Sequence, residues 1–77
     1  MKDAKTVIGS ISSIERMKNS VYGNPRFMVV INGEIYYTAP NSMLGYSIQN
    51  YANQQITVKI TAKLYRNKMT IQTINKV

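Results

Sequence analysis

The dipeptide Asn32-Gly33 sits between two runs of β-forming residues, "RFMVVI" before it and "EIYYTA" after it. A two-residue connection of this kind needs positive φ at both positions, which asparagine and glycine tolerate best, and its twist suits a pair of antiparallel strands. Residues 26–31 and 34–39 are therefore expected to form a hairpin, and the rest of the chain has to build a sheet around it. Alternate side chains along a strand leave on opposite faces, so Tyr36 and Tyr37 must point different ways. Ile35, Tyr37 and Ala39 make the more apolar set. That pattern predicts Tyr37 in the core and Tyr36 on the outer face with Glu34 and Thr38.

Other segments read as follows. Residues 4–17, "AKTVIGSISSIERM", start in period two and then slip, which predicts one long strand bent by a bulge near Ser12 and Ser13. Ile8, Ile11, Ile14 and Met17 also recur every third residue, but Gly9, three serines and three isoleucines suit a strand better than a helix. "KNSVYGNPR" is polar and punctuated by Gly23 and Pro25, hence a loop. After Pro40 the period changes. Leu44, Ile48 and Tyr51 fall on one face of a short amphipathic helix, capped at Asn41 or Ser42 and ending near Asn50 or Asn53. "QITVKITAKLY" alternates throughout, with Ile56, Val58, Ile60, Ala62 and Leu64 inward and Lys59, Lys63 and Tyr65 outward. "RNK" turns the chain into a last strand, "MTIQTI", before a polar tail.

With 77 residues there is room for one small domain spanning the chain, and without cysteine neither a disulfide nor a thiolate metal site supports it. Closing the sheet would remove the exposed edges that a small open sheet leaves. Five strands with one helix between the third and fourth give a mainly β fold, a small OB-fold-like barrel. An SH3-like barrel is the alternative, but it carries its helical turn between the last two strands, where this chain has only "RNK".

The string "SVYGNPRFMVVINGEIYYTAP", with "YSIQNY" after it, resembles a group of small phage and mobile-element proteins that carry a GNPR-like turn followed by a strand and a hairpin. The likeness runs from Ser20 to about Tyr51. It implies a phage or mobile-element origin and brings no catalytic signature.

Ten lysines and arginines face three acids, Asp3, Glu15 and Glu34, for a net charge of +7, and no acid follows Glu34. That balance suits a polyanion, or serves solubility alone. Histidine and cysteine are absent, so the usual general base, thiol nucleophile and transition-metal ligands are missing. Neither phosphate-cradling glycine motif occurs. The expectation is a non-enzymatic protein without metal or cofactor. No apolar run of about 18 residues is present to span a bilayer, and "MKDAKTV" has no apolar signal core, so a cytoplasmic protein is expected.

On the OB plan a ligand lies across strands two and three, between the loop joining strands one and two and the loop joining strands four and five. The first loop offers Lys18, Asn19, Tyr22 and Arg26, the second Tyr65, Arg66, Asn67 and Lys68. Rings that stack on bases and cations that follow phosphates are what a single-strand groove requires. Tyr36 joins them as the outward ring of the hairpin. Lys59 and Lys63 on the outer face of strand four read first as solvated charges and second as phosphate contacts. Nucleic acid, single-stranded and read without strong sequence preference, is the expected partner. Docking on an acidic host protein or on a second copy of the chain is the competing expectation.

Overall fold

The computed structural model describes residues 4–40, 43–53 and 55–77. Six strands form one sheet: β1 (Lys5–Gly9), β2 (Ile11–Met17), β3 (Arg26–Ile31), β4 (Glu34–Thr38), β5 (Val58–Tyr65) and β6 (Lys68–Lys76). Their order across the sheet is β1-β5-β6-β4-β3-β2. All neighbours are antiparallel except β4 and β6, which run parallel at Tyr37–Thr70 and Thr38–Ile71. The first strand expected from sequence is thus two strands, so the sheet has six strands where five were expected, and it is an open sheet where a closed barrel was expected. β1 lies at one edge of the sheet and β2 at the other, with only Ser10 between them. The expected bulge is present, since the β2–β3 register slips between Ile11 and Ser13.

Because one bent segment supplies both edges, the sheet must curl. The Asn32 amide donates to the Ile8 carbonyl at 3.0 Å, and Lys5 reaches Glu34 at the same distance, so the β3–β4 turn meets β1. Asn32 and Gly33 adopt φ of 54° and 80°, as the hairpin requires. A two-residue turn pairs Ile31 with Glu34, and so Val29 with Tyr36 and Met28 with Tyr37.

That register corrects the expected faces of the tyrosines. Directly opposed residues share a face, and Phe27, Val29 and Ile31 are all core. Tyr36, opposite Val29, is therefore buried, while Ile35 is 48% exposed. Thr38 follows Tyr36 inward, where its Oγ1 accepts the Phe27 backbone N–H at 3.0 Å. The remaining core comes from Ile11, Ile48, Val58, Ile60, Ala62, Ile71 and Ile74. Leu64, expected inward, lies beside the β5–β6 turn, opposite Met69, and is exposed.

The expected amphipathic helix is instead two 3-10 turns, Met43–Tyr46 and Ile48–Tyr51. Its stripe survives: Ile48 is buried, and Leu44 and Tyr51 pack against the core. The candidate caps Asn41 and Ser42 lie outside the described residues. Gly45 is buried against the β2–β3 loop, where an added Cβ would collide with the Pro25 carbonyl. Gly45→Ala should therefore lower stability by about 1–3 kcal/mol, the usual range for overpacking, read as a lower urea midpoint at unchanged slope. Among the described residues, no helix is long and apolar enough to cross a membrane.

Candidate nucleic-acid interface

The β2–β3 loop, residues 18–25, folds on itself. Ser20 N donates to the Asn24 carbonyl and Gly23 N to the Ser20 carbonyl, both at 2.9 Å. The Ser20 hydroxyl accepts the backbone N–H groups of Tyr22 and Asn24, and Asn24 Nδ2 donates to the Pro40 carbonyl at 3.1 Å. Gly23, at φ 82°, supplies the left-handed residue this path needs. The loop is thereby held in one shape, with the Tyr22 side chain 69% exposed beside Val21.

Facing it stands the β5–β6 hairpin. Its two-residue turn, Arg66-Asn67, has φ of 51° and 67°. Asparagine and glycine dominate such positions, and an arginine in the left-handed region is uncommon. The Arg66 guanidinium lies 5.3 Å from the centre of the Tyr65 ring.

Between loop and hairpin is a groove of about 400 Å³, floored by Tyr37, Thr38 and Thr70. Asn19 and Tyr22 line one wall, Tyr65, Arg66 and Lys68 the other, and Arg26 enters from the start of β3. The Lys68 ammonium sits 5.2 Å above the Tyr37 ring. Arg26 Nε is buried and has no hydrogen-bond partner. Three tyrosines and three cations thus share one groove whose lining contains no carboxylate. The acids among the described residues stand elsewhere, Glu15 on β2 and Glu34 on β4.

The structure brings together Asn19, Tyr22, Arg26, Tyr65, Arg66 and Lys68 of the residues expected from sequence. Lys18 is exposed in the loop but does not line the groove. Lys63 borders a neighbouring cleft of about 300 Å³ that shares Tyr65 and Thr70 with the groove. Lys59 lies at the other end of β5, opposite Ile8. Tyr36 is not part of this surface: it is buried, and its hydroxyl donates to Glu34 Oε1 at 2.9 Å. Burial raises the Tyr36 phenol above its ordinary pKa, and the bond to Glu34 adds to that. The Lys5 hydrogen bond, seconded by Tyr36, lowers Glu34, and the same bond raises Lys5. Glu34 is committed to that contact.

Tyr37 is the groove residue that the apolar pattern missed. The signal was available in the turn. A two-residue loop places Tyr36 opposite Val29, and the larger apolar set Phe27, Val29 and Ile31 names the buried face of β3.

Chemically, the groove offers three amphipathic rings at its floor and walls, and guanidinium and ammonium donors among them. Rings of this kind stack on planar bases, and the cations pair with phosphate oxygens. No protein-family model, curated protein or solved structure matches the chain.

Proposed function

We propose that this protein is a non-catalytic nucleic-acid-binding module of the phage or mobile-element type, with an OB-fold-like, partly open sheet that holds single-stranded DNA or RNA in the Tyr37 groove with little sequence preference. One observation carries the reading: three tyrosines and three cations converge, without a carboxylate, between a loop and a hairpin far apart in sequence. The OB-fold-like assignment draws support from the sheet order, from the parallel β4–β6 pair and from one bent segment supplying both edges. In the OB-fold a strand shared between the two edges closes the barrel, and its ligand lies between the corresponding loops. Arg66 supports the reading independently, because its backbone conformation would suit asparagine or glycine better. What the position gains from arginine is a charge over Tyr65 at the lip of the groove.

Bases in a duplex are stacked on one another and hidden from tyrosine faces, so the groove favours the unpaired strand. The test is a titration with labelled single-stranded and duplex oligonucleotides at two salt concentrations. Single strands should bind more tightly than duplexes, and binding should weaken as salt rises through counterion release. Absence of binding to any single strand at low salt overturns the proposal.

A second reading, docking on an acidic partner protein through the same groove, is favoured by Val21, an aliphatic side chain 93% exposed at the loop tip. Water-exposed apolar groups at a loop tip suit a protein contact better than a phosphate contact.

A further inference from the structure

The groove does not end at the β2–β3 loop. On the other side of that loop is a cleft of about 310 Å³ bordered by Arg16, Phe27, Tyr46 and Gln49. Asn19 lines both the cleft and the groove, so the two adjoin at that residue. Glu15 lines neither, and no carboxylate borders the cleft.

Arg16 is held there in a fixed orientation. Its guanidinium lies 5.6 Å from the centre of the Phe27 ring, its Nε donates to the Met17 carbonyl at 3.2 Å, and its Nη2 donates to Asn19 Oδ1. An arginine carries five N–H donors in a rigid fork. The bonds at Nε and Nη2 occupy two of these donors, and the Nη1 donors, which make no hydrogen bond among the described residues, are available to a phosphate. Tyr46, on the first 3-10 turn, is exposed, and its turn is seated firmly by the close approach of Gly45 to Pro25. An exposed ring on a fixed turn beside an oriented guanidinium repeats the pairing seen in the groove.

We propose that a single strand leaving the Tyr37 groove crosses the loop at Asn19 and continues into this cleft, with a phosphate on Arg16 and a base on Tyr46. The inference rests on the groove being a nucleic-acid site and extends it. It makes the protein a reader of strand length: a trinucleotide fills the groove alone, whereas a longer strand engages both. Footprints of roughly 4–16 nucleotides are usual for small barrels that bind single strands, so the longer strand is a reasonable occupant.

The experiment measures fluorescence anisotropy with oligothymidine and oligouridine of 3 and 10 nucleotides on the wild-type chain and on Arg16→Ala, Tyr46→Ala and Tyr46→Phe. Circular dichroism confirms that each variant is folded. The expected result is a wild-type preference for the 10-mer. Tyr46→Ala should weaken the 10-mer by about tenfold, the typical effect of one stacked base, and Arg16→Ala by about tenfold through loss of a charge-assisted phosphate contact. Both should leave the trinucleotide unchanged, and Tyr46→Phe, which keeps the ring, should retain wild-type affinity. Equal affinity of Arg16→Ala and Tyr46→Ala with the wild type for the 10-mer overturns the extension, even as the groove continues to bind. The same holds if they weaken both lengths alike. Failure of the wild type to bind either length overturns the groove reading itself.

Discussion

Tyr36→Ala is expected to cost the chain about a quarter or more of its folding stability. Tyr36 is only 1% exposed and heads the fully buried side chains in volume. Truncating a large buried aromatic costs about 3–5 kcal/mol through lost transfer energy and the cavity left behind. A domain this small holds about 4–12 kcal/mol in total, at about 0.05–0.15 kcal/mol per residue. The variant would also strip Glu34 of the phenolic donor at 2.9 Å and leave Val29 without its cross-strand partner. Chemical denaturation with the wild type alongside reads the effect directly. A cooperative transition at the wild-type midpoint would show that the β3–β4 register is wrong. Tyr36→Phe separates the ring from its hydroxyl and should cost about 1 kcal/mol, the net value of a hydrogen bond.

Titration of the same phenol gives a further check on its burial. Its folded-state pKa is raised, so the neutral form belongs to the folded state. That contribution is complete below the ordinary phenol value near 10 and is lost as pH rises through the folded value. The wild type should therefore lose stability in strong alkali more steeply than Tyr36→Phe.

How much of this was written in the sequence differs from element to element, for physical reasons. The β3–β4 hairpin, the alternation of Val58, Ile60 and Ala62, and the bulge between Ile11 and Ser13 are local patterns, and the structure contains them. Each depends on neighbours within a few residues. The division of the first strand at Ser10 depends on which distant strands claim its halves, β5 for one and β3 for the other. Periodicity carries no such information. The helix failed for a different reason: Gly45 must approach the Pro25 backbone, and two tight turns allow that approach. Apolar content along β4 alone points Tyr37 inward and Tyr36 outward, opposite to the faces they occupy. The register imposed by Asn32-Gly33 ties β4 to β3, whose face is the more decisive. For the candidate site, Tyr22, Arg26, Tyr65, Arg66 and Lys68, expected in two loops, line one groove, because loop adjacency follows from strand order. Individual positions on strands, Tyr36 and Lys59 among them, are not fixed by loop adjacency.

The largest functional effect is expected when Tyr22, Tyr37 and Tyr65 are replaced together by alanine. Each stacked base contributes about 1–3 kcal/mol, so their combined loss should lower affinity for a single-stranded oligonucleotide about a hundredfold or more. Tyr22 and Tyr65 are exposed and Tyr37 is half-buried, so a folded protein should remain. Aromatic stacking involves no counterion release, and the salt slope of whatever binding survives should match that of the wild type. Arg66→Gly should behave in the opposite manner. Three phosphate contacts on a single strand give a log-log salt slope of about −2, and removal of one should reduce its magnitude by about 0.7. At the same time glycine relieves the left-handed backbone at φ 51°, offset in part by the greater freedom of the unfolded chain, so stability should hold or rise. A substitution that weakens binding, flattens the salt dependence and leaves the fold at least as stable would identify Arg66 as a residue kept for its charge. Loss of stability without change in the salt slope would instead make it a turn residue, and the groove would lose one of its three cations.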